Sequence, residues 1–257
     1  MARAPARMSR ASPQTGRRRA MPDELVISHL TAGYGHQSVL QDLSLRAEAG
    51  RLTALIGPNG HGKTTLLRAI SGLIRPKSGE IRLGAERISG LGAETIVARG
   101  IVHVPQGDLL FPDMTVLENL RMGAFLPAAA RQEKSVLEEV FTLLPKLRDR
   151  QSQIARTLSG GERRMVGIGR GLMASGRVLM LDEPSLGLAP IVIEQIYEVI
   201  AGLRRAGRSI LLVEENAMRA AVIADQVHLL DHGTLAWSGT GAELSGRSEL
   251  LETYLGV

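Results

Sequence analysis

Gly57, Pro58, Asn59, Gly60, His61, Gly62, Lys63 and Thr64 run in succession as GPNGHGKT, with Thr65 following. Glycines at three of these positions let the backbone pass through positive φ and turn several N–H groups toward one anion. At this spacing Lys63 supplies a point charge for the β- and γ-phosphates of a nucleotide, and Thr64 supplies a hydroxyl for Mg²⁺. A second chemical pair lies far downstream, where Val178, Leu179, Met180 and Leu181 lead into Asp182 and Glu183. A carboxylate at the end of a buried strand can hold Mg²⁺ through its water shell, the role expected of Asp182. Glu183, beside it, can accept a proton from an attacking water or orient it.

Both sets need rigid elements behind them. Leu52, Ala54, Leu55 and Ile56 read as a buried strand feeding the phosphate loop, and Leu66, Leu67, Ile70 and Leu73 have helical spacing, which predicts a helix over 65–73 with its N-terminus facing the anion. Strands are expected at 25–30, 39–45, 80–83 with Ile88, 178–181 and 209–213, and helices at 191–205 and from Ala217. A hairpin is expected around Asp231, His232 and Gly233, and a mostly helical stretch over 115–172. Alternating strands and helices predict a mainly parallel sheet covered on both faces; the stretch after residue 78 adds an antiparallel β subdomain, and the helical stretch adds an insertion lobe, about 107–172.

Composition narrows the class. The chain has 257 residues and a formal charge of +5, but six arginines and no acid fall in the first twenty residues, so the remainder carries 25 basic against 26 acidic residues. With aromatics at 3%, this argues against nucleic acid as a partner. No run approaches the roughly 18 apolar residues of a membrane span. The absence of cysteine removes disulfides and thiolate chemistry, as suits a cytosolic setting. Residues 1–20 are expected to be a disordered basic tail; an organelle transit peptide, or translation that starts at Met21, are the alternatives. His36, His61, His103, His228 and His232 show no zinc spacing and no clustered partners, so no metal besides Mg²⁺ is expected. Met165, Met173 and Met180 read as core filler, and Val192, Ile196, Val199, Ile200 and Leu203 as a sheet-facing helix stripe.

Leu158, Ser159, Gly160, Gly161 and Glu162, shortly before the acidic strand, resemble the signature sequence of ATP-binding cassette ATPases, with Glu162 where glutamine is usual. Physically, Ser159 and the glycines open a helix and offer N–H donors at its positive end. The resemblance spans 25–257 and implies an α/β phosphate-loop fold, ATP and Mg²⁺ as cofactors, and a head-to-tail dimer in which Ser159, Gly160, Gly161 and Glu162 face ATP held by the other subunit. It also implies that Tyr34 stacks on adenine and that Gln106 reaches Mg²⁺ and senses the nucleotide between lobes. Ser185, Leu186, Gly187, Leu188, Ala189 and Pro190 resemble the ATPases of branched-chain amino acid importers and their amide or urea relatives. Phe111, Pro112, Thr115, Val116, Glu118, Asn119 and Leu120 do so too. The short stretch after the last hairpin leaves no room for an added regulatory domain.

Two positions depart from the family. Glu215 stands where most cassette ATPases have a histidine on the γ-phosphate and where the branched-chain group usually has glutamine. An ionised carboxylate donates no hydrogen bond and repels phosphate. Either Glu215 points away and Asn216 donates, or it is protonated, or hydrolysis is weak; it also fits a solvated start to the next helix. Leu188 replaces an aspartate that couples the two sites in many relatives.

The resemblance implies a peripheral ATPase on the cytoplasmic face of the cell membrane, bound to two transmembrane permease subunits and a second ATPase subunit, either a paralogue or a second copy. A solute-binding protein outside the membrane would take part indirectly. The rivals are a soluble cassette ATPase acting on ribosomes or DNA, and a nucleotide-binding regulatory subunit with low turnover. The former usually carries two cassettes or a long coiled-coil insertion, and neither is visible.

Overall fold

A computed structural model describes residues 24–107, 109–247 and 250. The basic tail, and the question of a start at Met21, lie outside the described residues.

The central sheet has six strands: β3 (Leu52–Ile56), β6 (Ile101–Val104), β7 (Val178–Asp182), β8 (Ser209–Glu214), β9 (Gln226–Asp231) and β10 (Thr234–Gly239), in the spatial order β10-β9-β3-β8-β7-β6. All neighbours are parallel except the β9–β10 hairpin. β3, β7 and β8 are buried at every position, as expected of strands covered on both faces, which read as continuous apolar runs. Their register brings the ends into line: Ile56 pairs with Glu214, Asp182 with Val213, and Val104 with Leu181. Everything that follows β3, β6, β7, β8 and β9 therefore emerges at one carboxyl edge, where open α/β sheets bind ligands.

A second, antiparallel sheet has the order β2-β1-β4-β5, from β1 (Leu25–Ala32), β2 (Leu40–Ala47), β4 (Ser78–Leu83) and β5 (Glu86–Arg87). It packs over one face of the central sheet around helix α1 (Lys63–Ile70): Ile27, Leu43, Leu45 and Ile81 share a core with Leu66, Leu67, Leu55, Met180 and Leu211. Alternation along β3 sends Leu55 into this core and Ala54 and Ile56 into the opposite one. Each such buried leucine or isoleucine contributes roughly 1.5–3 kcal/mol of transfer free energy.

Helix α2 (Ala93–Ala98) precedes β6. Between β6 and β7 lie α3 (Val116–Arg121), α4 (Pro127–Arg131), α5 (Glu133–Leu143), α6 (Pro145–Asp149) and α7 (Gly160–Met173), with 3₁₀ turns at Met122–Ala124 and Ala155–Thr157. Helices α8 (Pro190–Arg205), α9 (Ala217–Ile223) and α10 (Gly241–Ser245) follow β7, β8 and β10 in turn. The caps follow from residue type. Thr115 with Glu118, and Ser159 with Glu162, form reciprocal capping boxes, while Pro190 occupies the first turn of α8, where its missing N–H costs nothing. On α8, Ile196, Ile200 and Leu203 are buried, with Val192 and Val199 packed at the edge of the same core.

Two expectations are corrected. The helix after the phosphate loop starts at Lys63 and ends at Ile70, because Gly72 turns back at φ 74°; Leu73 falls beyond it and is 62% exposed. The sequence reading also passed over α2, β6 and α10. Each is four to six residues long, too short for periodicity to stand out.

Candidate functional site

Gly62 is the N-cap of α1, at φ 109°, and carries no side chain to occupy the first N–H groups of the helix. Those donors remain directed at whatever fills the loop. Gly57 is required by space: a Cβ there would lie 2.3 Å from the carbonyl oxygen of Leu230 on β9. The loop is thus seated on the sheet edge, and Asn59, Gly60, Gly62, Lys63, Thr64, Thr65 and Glu183 line one cleft.

Lys63 is 3% exposed, and its Nζ donates to the carbonyls of Gly57 (2.7 Å) and Pro58 (3.0 Å) and to Asn59 Oδ1 (3.4 Å). It also pairs with Glu183 Oε1 at 3.3 Å. Glu183 Oε2 accepts from Gln106 Nε2 at 3.1 Å, and Thr64 Oγ1 donates to Asp182 Oδ1 at 3.4 Å. Residues from three strand ends therefore meet in two adjacent hydrogen-bonded sets, Gln106–Glu183–Lys63 and Thr64–Asp182: Gln106 after β6, Asp182 and Glu183 at β7, Lys63 and Thr64 after β3. Glu183 itself is held at φ 45°, a left-handed conformation unusual for a side-chain-bearing residue, with its N–H bonded to the carbonyl of Val213 at 2.9 Å. Such strain persists where the surrounding fold over-determines it, and it gathers at functional sites.

Asp182 is 2% exposed, and burial pushes its carboxyl above the usual carboxylate range; the Thr64 hydroxyl opposes this and the neighbouring Glu183 charge adds to it. The site therefore contains a carboxylate whose negative charge is under-compensated. On β8, Glu214 is also buried and pushed up by desolvation, against hydrogen bonds from Ser185. The sequence reading did not single it out, although an acid ending an otherwise apolar strand was a signal.

Glu215 turns to the phosphate loop: it is exposed, and its Oε2 accepts from Asn59 Nδ2 at 3.1 Å. Asn216 caps α9, with its Oδ1 accepting from the Arg219 N–H at 3.0 Å. Tyr34 is 47% exposed in the β1–β2 turn, and its hydroxyl accepts from Arg68 of α1 at 2.9 Å.

The opening of α7 belongs to a different surface. Glu162 Oε2 accepts from the Ser159 N–H and hydroxyl, each at 2.9 Å, and its Oε1 meets Arg150 at 2.9 Å. The Ser159 N–H is the leading cause that holds the Glu162 carboxyl below the usual range. The glutamate is thus an ionised capping partner. A Cβ on Gly160 would stand 3.5 Å from Leu188, and one on Gly161 2.4 Å from Val192, so the start of α7 packs closely on the segment that follows β7.

Two further residues tie these parts together. Arg164 is 5% exposed and donates from Nη1 to the carbonyl of Gly107 at 2.8 Å, joining α7 to the Gln106 loop. It shares a helical face with Gly161, Ile168 and Leu172, so a cation on the buried stripe was its signal. Asn119 is fully buried; it donates to the carbonyls of Phe111 and Thr115, both at 3.0 Å, and accepts from the Phe111 N–H at 2.9 Å, fixing the loop between β6 and α3.

One expectation fails outright. His61 and His232 do have clustered partners: both Nδ1 atoms lie against Asp231 Oδ1, at 2.9 and 2.7 Å. The residues are separated by most of the chain, and only the parallel pairing of β3 with β9 brings them together.

A family model described as ABC transporter matches residues 40–186. The chain is 43% identical, over 87% of its length and 95% of the relative's, to the high-affinity branched-chain amino acid transport ATP-binding protein BraG of Pseudomonas aeruginosa. It is 37% identical, over 89% and 97%, to the probable branched-chain amino acid transport ATP-binding protein LivF of Archaeoglobus fulgidus. The crystal structure of the ADP conformation of an ATP-binding cassette of an ABC transporter superposes with a TM-score of 0.77 at 28% identity, covering 87% of this chain and 93% of that one. The chain belongs to the ABC transporter family and is one of its nucleotide-binding ATPase subunits. The resemblance to the branched-chain importer type, first read from the segments around Ser185 and Asn119, is borne out by these relatives.

Proposed function

We propose that this ATPase drives an importer for branched-chain amino acids or closely related amides, bound peripherally to two permease subunits at the membrane. The observation that carries the reading is the convergence of the Lys63–Glu183–Gln106 set and the Thr64–Asp182 pair at the carboxyl edge of the sheet. The relatives' names, which are those of branched-chain amino acid transport proteins, supply the solute class. No helix among the described residues is long and apolar enough to cross a membrane.

The loop residues Gly57, Pro58, Asn59, Gly60, His61, Gly62, Lys63, Thr64 and Thr65 cradle the phosphates, Lys63 exchanging its protein acceptors for phosphate oxygens. Tyr34 offers its ring to the base. Mg²⁺ fits the donor set: an under-compensated buried carboxylate, Asp182, stands beside the Thr64 hydroxyl, and Gln106 is close by. Thr64, Gln106 and Asp182 would hold the ion, which supplies charge neutralisation to the transferring phosphate. Glu183 holds the attacking water and takes its proton. Ser159, Gly160, Gly161 and Glu162 face the nucleotide of the opposing subunit, so ATP closes a head-to-tail dimer.

The segment of about 107–172 acts as the lobe that meets the permeases, reporting closure through Gln106 and Arg164. Exposed Leu109, Phe111 and Phe125 beside the Gln106 loop provide an apolar contact surface for short permease helices. The second ATPase subunit is a paralogue, a reading supported by the two distinct branched-chain amino acid transport ATP-binding proteins named in Pseudomonas aeruginosa, and the two sites are then unequal. A solute-binding protein delivers the cargo.

The test is reconstitution with the permeases and the second ATPase in liposomes. Leucine-class solute delivered by its binding protein should stimulate hydrolysis severalfold; hydrolysis indifferent to every branched-chain or amide solute would overturn the reading. Glu183→Gln in this chain alone should leave much of the activity, and complete loss would contradict unequal sites.

A further inference from the structure

The turn between β9 and β10 meets the phosphate loop through side chains that do not line the cleft shared by Lys63 and Glu183. Asp231 ends β9 at the same carboxyl edge as the catalytic strands, and His232 follows it into the turn. His61, from the middle of the phosphate loop, points toward this turn. Asp231 Oδ1 lies 2.9 Å from His61 Nδ1 and 2.7 Å from His232 Nδ1, and the ring centroids are 4.1 Å apart. The backbone supports the arrangement on both sides: the Gly233 N–H donates to the carbonyl of His61 at 3.0 Å, and the Gly233 carbonyl accepts from the Gln41 N–H at 3.0 Å. Gly233 leaves no room for alternatives, since a Cβ there would lie 1.8 Å from the carbonyl oxygen of Val39.

For two imidazoles to hydrogen-bond one carboxylate oxygen, each Nδ1 must carry a proton. The His61 Nδ1 also lies 3.3 Å from the His232 N–H, which demands a lone pair there instead. Replacing the two ring protons with one cation engages both nitrogen lone pairs and the carboxylate at once, and leaves the His232 N–H, in an exposed turn, to solvent. The three donor atoms lie within 4.8 Å of one another. Tetrahedral Zn²⁺ with bonds of about 2.0–2.1 Å needs donors spaced about 3.4 Å apart, so the two Asp231–histidine separations, now 2.9 and 2.7 Å, have to open by roughly half an ångström. The His232 side chain is 79% exposed and free to make that adjustment, and solvent has access to a fourth position. Imidazole nitrogens select zinc and its neighbours over Mg²⁺, which takes oxygen donors and dehydrates reluctantly.

We infer that His61, Asp231 and His232 form a second, transition-metal site of the Zn²⁺ class that latches the phosphate loop to the β9–β10 turn. None of its three residues lines the cleft that Lys63 and Glu183 share, and it ties the conformation of the nucleotide cradle to metal availability. The inference does not depend on the transported solute or on the direction of transport.

The experiment is Zn²⁺ titration of the full, nucleotide-free chain in excess Mg²⁺, by calorimetry, with Co²⁺ as the spectroscopic probe. The expected result is one Zn²⁺ per chain, visible bands of tetrahedral Co²⁺, and a melting temperature raised by a few degrees at saturation. His232→Ala and Asp231→Asn should each weaken binding by about tenfold or more and abolish the Co²⁺ bands. Melting of both variants in chelator, compared with wild type, separates loss of the site from loss of the fold. Absence of stoichiometric Zn²⁺ binding overturns the site, as does wild-type affinity in both folded variants.

Discussion

Lys63 Nζ stands 3.3 Å from Glu183 Oε1, both side chains all but excluded from solvent. In this arrangement the residue proposed to bind phosphate is paired with the residue proposed to activate water. ATP must displace that pair, so the loop and the acidic strand respond to the same event.

Glu183→Gln removes the charge that competes with phosphate for Lys63. ATP affinity should rise by about tenfold, the scale of one partly screened charge interaction near 1.4 kcal/mol. Hydrolysis at this chain's site should fall by about 10²-fold or more, since the proton acceptor is lost. Equilibrium ATP binding and single-turnover hydrolysis measure the two effects; unchanged or weaker affinity contradicts the exchange.

Asp182→Asn separates the cost of burial from the benefit of the metal. A carboxyl raised in the folded state contributes stability that is present below its ordinary value of about 3.8 and is lost as pH rises through the folded value. The variant should therefore melt a few degrees above wild type at pH 7 without Mg²⁺, and the difference should shrink as pH approaches 4. With MgATP the order should reverse. Thermal melting across pH, with and without the ion, reads both.

Glu215 accepts a hydrogen bond from Asn59 in the phosphate loop, which brings a carboxylate near the expected γ-phosphate. Glu215→Gln keeps an acceptor for Asn59 and removes the repulsion, so turnover of the assembled complex should rise by roughly three- to tenfold. A fall in turnover means that the carboxylate contributes to the reaction.

Arg164→Ala leaves the Gly107 carbonyl without its partner and should cost about 1–3 kcal/mol of stability. More telling is coupling: solute stimulation of hydrolysis should drop more than the basal rate, with partial recovery in Arg164→Lys. Equal loss of both would make Arg164 merely structural.

Much of the site was legible because its chemistry sits in contiguous segments. The phosphate loop, the Asp182–Glu183 strand end and the helix opening at Ser159 each read within a few residues, and the buried strands β3, β7 and β8 announced themselves as apolar runs. What escaped depends on pairing between distant segments. Arg164 reaches Gly107 only because α7 packs beside β6. His61 meets Asp231 and His232 only because β3 and β9 are adjacent in the sheet, a neighbour relation that residue spacing does not carry. The helix boundary at Ile70 escaped because Leu73 continues the apolar period past a glycine that ends the helix.

The central claim is that Lys63 and the Asp182–Glu183 pair clasp one triphosphate. Equilibrium binding of MgATP to the purified chain and to Lys63→Ala tests it most directly. One ATP per wild-type chain is expected, with an affinity reduced by about 10²-fold in the variant, the scale of losing a charge-assisted phosphate contact in a partly buried site. Binding of equal strength in both proteins would contradict the account.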